Sequence, residues 1–240
     1  MSFQRVVVTC LSVAVLSAGA LAQGQGPLLG KLQPPPPAQK IREGVYRIGS
    51  IEVDTIKKEV RVAAIVNSDI KMLEWVANTK GGAKAYESAL TVDASAATFN
   101  AALLLLGLDP SHSRVPTRHF DPIAPKGDPI LVWLEWTAGT LARRVPIEEL
   151  LYDERTKSTL TAGPWVYTGS AFSNGYYMAE LDGVLIGFVH SPSPIIENPR
   201  AGAVNAFGSI TMNNDRLGLP GGSKVTLVIQ AVSPNAKGSK

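Results

Sequence analysis

One cysteine, Cys10, is the whole thiol content of this 240-residue chain, and it stands in a segment expected to be removed. Residues 1–5 carry one positive charge at Arg5, and residues 6–18 form a short apolar run without an acidic side chain. Ala20-Leu21-Ala22 then offers small residues at the two positions a signal peptidase reads before Gln23. This is the layout of a Sec-type signal peptide, cleaved after Ala22, and the run is too short to span a bilayer. Thr9 precedes Cys10 and most of the apolar run follows it, so conventional cleavage is expected rather than lipid attachment. A secreted or periplasmic product without thiols follows. Disulfides, thiolate zinc sites, iron–sulfur clusters and a cysteine nucleophile are then excluded, and stability must come from the packed core.

The chain can build such a core, because 45% of it is hydrophobic and only 18% charged. A net charge of +3, from 23 basic and 20 acidic side chains, gives no footprint for nucleic acid. Residues 23–43 are rich in Gly, Pro and Gln and include Pro34-Pro35-Pro36-Pro37, an extended polyproline II spacer. Residues 233–240 are small and polar and read as a flexible tail. Between them, residues 44–232 are expected to form one globular domain.

Tyr46, Ile48, Ile51 and Val53 mark one strand, and Val60, Val62, Ala64 and Val66 alternate with Arg61 in a second. The charged stretch 54–59 joins them as a hairpin. Residues 72–77 and 86–92 flank Lys80-Gly81-Gly82 and read as a second hairpin closed by the glycines. Residues 95–106 read as a helix, with Ser95 as N-cap, Gly107 as stop and Pro110 close behind. Four consecutive leucines, Leu103 to Leu106, spread apolar surface around it and predict burial on several sides. Residues 130–136 read as a central strand, with 141–146 returning beside it. Further strands are expected over 165–167, 176–180, 184–189 and 225–231, with Asp182-Gly183 as a hairpin turn. No internal repeat is present. The sum is an α+β fold: a mainly antiparallel β-sheet domain with one buried helix and long loops.

Two stretches carry a family pattern. The first is Thr79-Lys80-Gly81-Gly82-Ala83-Lys84-Ala85-Tyr86-Glu87-Ser88-Ala89-Leu90, followed by Ala101-Ala102-Leu103-Leu104-Leu105-Leu106-Gly107. The second is Trp165-Val166-Tyr167-Thr168-Gly169-Ser170, then Ala179-Glu180-Leu181-Asp182-Gly183 and Leu219-Pro220-Gly221-Gly222. In order and spacing these resemble the YdjY-like family of exported bacterial proteins, over roughly the whole folded body. The resemblance implies no defined activity. Some relatives carry a cysteine-rich cluster segment that has no counterpart here, so an electron-transfer role does not carry over. Relatives also often show His where Tyr86 stands, and Tyr86 beside Glu87 neither binds metal nor shuttles protons readily at neutral pH.

The candidate ligand- or partner-binding residues are Gly81, Gly82, Tyr86, Glu87, Ser88, His119, Asp121 and His190. Glu87 and Ser88 either present a carboxylate and hydroxyl at a strand end, or Glu87 accepts hydrogen bonds from the Gly81-Gly82 turn. The long aperiodic stretch 108–129 holds His112, Arg114, His119 and Asp121 and reads better as a solvated loop than as a metal site. His190 has Ser191 and Glu197 nearby, without the GxSxG elbow of a hydrolase. Trp165, Gly169, Ser170, Asp182 and Gly183 read as structural motif residues; Trp165 and Tyr167 as core, with Tyr176 and Tyr177 open. No catalytic set, metal site or cofactor is expected. The function expected is a non-enzymatic envelope domain binding a protein, a glycan or a small ligand. A metal-assisted hydrolase and an accessory of an exported redox system are the alternatives.

Overall fold

The computed structural model describes residues 34–70, 72–200 and 208–232. The expected leader 1–22 with Cys10, most of the 23–43 spacer and the 233–240 tail lie outside the described residues. Eight strands form a closed ring. In chain order they are β1 (Glu59–Val66), β2 (Trp75–Thr79), β3 (Ser88–Val92), β4 (Asp128–Ala138), β5 (Trp165–Tyr167), β6 (Val184–Gly187), β7 (Ile196–Glu197) and β8 (Lys224–Ala231). Around the ring the order is β1-β8-β4-β5-β7-β6-β2-β3, and β3 returns to β1 through Ala64↔Val92 and Val66↔Leu90. The expected α+β domain with a mainly antiparallel sheet and one buried helix is thereby corrected to a β-barrel. Closure depends on pairing β3 with β1 across more than twenty residues, which no local pattern encodes.

Alternation along the strands decides what fills the barrel. Val60, Val62, Ala64 and Val66 are buried, whereas Ala63 and Ile65 between them are exposed. Val62 stands opposite Leu227, which stands opposite Leu134, and Val60, Ile229 and Val132 form the next layer. Trp165 and Tyr167 complete the wall, both fully buried. An eight-stranded ring has room inside for side chains and little else, so this is a packed core rather than a channel. On the outer face, Arg61 and Arg144 share Glu135 and Glu59 in a polar lattice.

β1 and β4 each serve two successive partners along one edge, with β8 on the other. The start of β1 pairs with Ile51–Asp54, at the end of a meander through Gln39–Arg42 and Val45–Ile48, and its end pairs with β3. The start of β4 pairs with β5, and its end forms a ribbon with Leu141–Pro146. A three-stranded sheet of Leu151–Asp153, Ser158–Thr159 and Ile210–Met212 is separate from the ring.

Helix α1 (Ala96–Leu106) starts as expected, with Thr98 N–H donating to Ser95 Oγ at 3.1 Å, and ends at Gly107 in the left-handed region. It touches β1 and β6 on opposite sides of the ring, and Tyr167 of β5 donates to Asn100 Oδ1 at 2.7 Å. The helix thus lies across the barrel with Phe99, Leu103 and Leu106 buried and Leu104 45% exposed. A second helix, α2 (Met178–Asp182), supplies the Glu180 carboxylate that accepts from Ala97 N–H at 2.9 Å in the first turn of α1.

Two expected hairpins are absent from their places. β2 and β3 are parallel neighbours, with Trp75 opposite Ser88, because the chain doubles back between them. Asp182-Gly183 closes α2 rather than a hairpin, with Gly183 at φ 74° as its cap. The tight hairpin of this region lies just before it. Phe172–Ser173 pairs with Tyr176–Tyr177 around Asn174 and Gly175, both at positive φ as a type I′ turn requires.

Candidate functional site

The site is assembled by a glycine contact. Thr79 N–H, at the end of β2, donates to Gly183 O at 2.7 Å, and Gly82 N–H donates to Thr79 O at 3.0 Å. A Cβ on Gly183 would stand 2.5 Å from Gly82 Cα, so the turn after β2 and the end of α2 meet backbone to backbone. Gly82 and Gly183 therefore hold two distant sequence motifs together, while Gly81 takes a positive φ of 75° in the turn and Asp182 ends α2. The chain then runs through a 3₁₀ turn, Ala85–Glu87, which carries Glu87 back beneath Trp75.

Glu87 is buried at 7% exposure, and its Oε1 accepts from Lys84 Nζ at 2.9 Å and from Trp75 Nε1 at 3.4 Å. Its partners are thus a lysine and an indole, not the glycine turn. The Glu87 carboxylate holds the Lys84 ammonium pKa above its ordinary value. Ser88 is buried and donates to Lys84 O at 2.8 Å. Tyr86, 66% exposed, faces solvent with Lys84 Nζ 5.9 Å from its ring centre. Glu74, beside Trp75, is buried at 7% and lies 3.5 Å from His119 Nε2.

His119 arrives on the loop between α1 and β4. Much of that loop, His112 and Arg118 included, is exposed to solvent, and buried Asp121 organises it. Asp121 Oδ2 accepts from Thr117 N–H at 2.9 Å, Thr117 Oγ1 at 3.1 Å and Arg114 Nη2 at 3.1 Å, and Oδ1 accepts from Ile123 N–H at 2.9 Å. The Thr117 and Ile123 amides lower the Asp121 pKa to about 2. His119 packs against Trp75 with ring centres 5.7 Å apart and against Phe120 at 4.0 Å. Glu87 and His119 thus meet at Trp75.

His190 stands behind them as the loop's anchor. Phe120 N–H donates to His190 O at 2.9 Å, and the His190 ring touches Asp121 O through Nδ1 at 2.9 Å and Asn198 O through Nε2 at 2.8 Å. Both ring nitrogens thus lie against carbonyl oxygens. Glu197 Oε1 accepts from the Ser191 amide at 3.1 Å, so Ser191, His190 and Glu197 do not form the serine–histidine–acid relay of a hydrolase.

The motif residues of the second stretch bond to one another and to neighbouring backbone. Trp165 Nε1 donates to Glu148 at 3.0 Å, and Arg200 pairs with the same carboxylate while its guanidinium lies 5.3 Å from the Trp165 ring. Gly169 and Ser170 both have positive φ, and Ser170 Oγ donates to Ser193 O at 2.7 Å while accepting from Ala179 N–H at 3.1 Å. Asp182 accepts from Ser193 Oγ. Tyr177 is buried and Tyr176 is 42% exposed, as adjacent strand residues facing opposite ways should be.

Sequence reasoning missed Glu74 and Trp75, which no motif singles out, and the pairing of His112 with Asp128. His112 Nδ1 lies 2.8 Å from Asp128 Oδ1, which raises the imidazole pKa, and both residues line a cleft of about 270 Å³ beside Lys58, Leu106 and Leu108. Sixteen residues separate the pair, beyond any local spacing rule. Among the described residues no group of three His, Cys, Asp or Glu side chains is placed to hold a metal ion. None of the described helices is long and apolar enough to cross a membrane.

Residues 51–230 match the family model described as the YdjY domain. No curated protein and no solved structure matches the chain.

Proposed function

The chain belongs to the YdjY domain family, and on that premise we propose that it is an exported, non-enzymatic domain that binds an envelope partner, a glycan or a small ligand through the face around Tyr86 and His119. The observation that carries this reading is how the chemical groups are committed. The His190 ring is buried with both nitrogens against backbone carbonyls, and Asp121 takes four donors. What faces solvent beside them is an exposed tyrosine, a half-exposed histidine and the Lys84 rim. Such a surface recognises by shape, ring contact and paired charge, as binding faces do, and has no group free to attack a substrate.

The test places a photo-crosslinking residue at position 86 or 119 of the exported chain, with position 143 on the Leu141–Pro146 ribbon as control. Adducts at 86 and 119 but not at 143 are expected. Equal adducts at all three positions refute the reading. One zinc per purified chain, lost on His119→Ala, would replace it with metal-assisted hydrolysis.

A further inference from the structure

Glu197 of β7 is fully buried, and its two carboxyl oxygens are unequally served. Oε1 accepts from the Ser191 amide, whereas Oε2 has no partner among the described residues. Ile196, its neighbour in the strand, fills the barrel, so Glu197 faces the opposite way, toward the 188–193 segment on which the 108–127 loop is seated. The bonds that seat the loop lie at this spot. Phe120 is tied to His190 O, and the His190 ring bridges Asp121 O on the loop to Asn198 O, the residue after Glu197.

The ionisable groups around Glu197 are few. The 188–193 segment brings His190, and the loop brings Asp121 with its Arg114 partner. The ladder neighbours Val166 of β5 and Gly187 of β6 bring no charge. Burial holds the Glu197 carboxyl pKa well above the ordinary range, and the Asp121 carboxylate pushes it further the same way. A neutral acid tolerates one amide donor in a dry site. A carboxylate there needs water, and the loop seated on the adjoining His190 is the element that can yield.

We infer that Glu197 is a proton-controlled latch for the 108–127 loop: protonated, it lets the loop close over it, and ionised, it draws in water and lifts the loop. Because that loop carries His119, the latch opens and closes one wall of the face proposed above, and in that use it rests on that reading. The sign follows from the buried acid. Glu197's own contribution to loop closure is present while its carboxyl is protonated and is lost as pH rises through the range in which the folded carboxyl ionises.

Hydrogen–deuterium exchange by mass spectrometry on the full chain between pH 6 and pH 9, corrected for intrinsic exchange, reads the loop directly. Peptides covering residues 114–124 are expected to open at least about tenfold more at the upper end, while peptides covering β8 do not, and Glu197→Gln flattens the loop profile. A loop that opens in parallel with β8, does not open, or opens equally in Glu197→Gln overturns the inference. Glu197→Leu, which fills the volume without a polar atom, serves if the glutamine variant fails to fold. A lifting loop without crosslinks at position 86 removes the binding face and leaves the latch; crosslinks with a static loop do the reverse.

Discussion

Gly127→Ala isolates one backbone contact on which the barrel seam depends. Gly127 ends the long loop at the start of β4, and a Cβ there would stand 1.9 Å from Tyr167 O and 2.8 Å from Tyr167 C. Carbon and oxygen approach comfortably at about 3.3 Å, so the strands must part by more than an ångström. Neither can do so freely. Tyr167 is paired with Asp128 on one side and Ile196 on the other, and its hydroxyl is bonded to Asn100 of α1. An ångström of separation turns good ladder bonds into non-bonds, and each buried group left unpaired costs about 1–3 kcal/mol. Two such groups bring the loss to about 3–5 kcal/mol, a large part of a typical domain's stability of about 5–15 kcal/mol. With a slope of about 2 kcal/mol per molar, the urea midpoint should fall by about 2 M. Gly163→Ala is the control, because its Cβ would meet the Arg200 guanidinium at 3.5 Å, an ordinary van der Waals distance, and it should stay within about 0.5 kcal/mol of wild type. A Gly127→Ala protein within about 1 kcal/mol of wild type, at an unchanged slope, would refute the claim that this contact closes the seam.

Other substitutions test other joints. Asp121→Asn should cost about 2 kcal/mol at neutral pH, through its loss of charged hydrogen bonds to the loop. Because the folded Asp121 pKa is lowered to about 2, its contribution is present above the ordinary carboxylate range and lost as pH falls toward that value. The variant should therefore show a shallower acid limb when denaturation is followed from pH 5 downward. Glu180→Gln should weaken the start of α1 by about 0.5–1 kcal/mol, measured by urea denaturation. Arg200→Ala leaves Glu148 buried without its cation and should cost about 3 kcal/mol by the same assay. Tyr86→Ala should stay within about 0.5 kcal/mol in stability yet abolish the adducts formed from position 119.

The sequence reports what neighbours along the chain decide. The alternation in β1, and the Ser95 and Gly107 ends of α1, are local facts, and the structure has them. The ring was not legible, because β3 closes on β1 and β8 inserts between β1 and β4 through contacts far apart in sequence. Asp182-Gly183 misled for a physical reason. A glycine at positive φ serves a helix end as well as a hairpin, and here the backbone contact with Gly82 decided which. The candidate residues Glu87, His119 and Asp121 were visible as chemistry. The Trp75 indole between Glu87 and His119, and the burial that commits His190 and Glu197, arise only from the folded loop.

The position of β8 has a consequence for when the fold can form. Lys224–Ala231 is the last strand among the described residues, yet it bonds to β1 and β4 along nearly its whole length and is the stave between them. Until those final residues are released, β1 and β4 each keep an open edge and the ring lacks a side. Strand pairings this distant form late and slowly. The export proposed above fits such an arrangement, since the ring stays open until Lys224–Ala231 can pair on both sides.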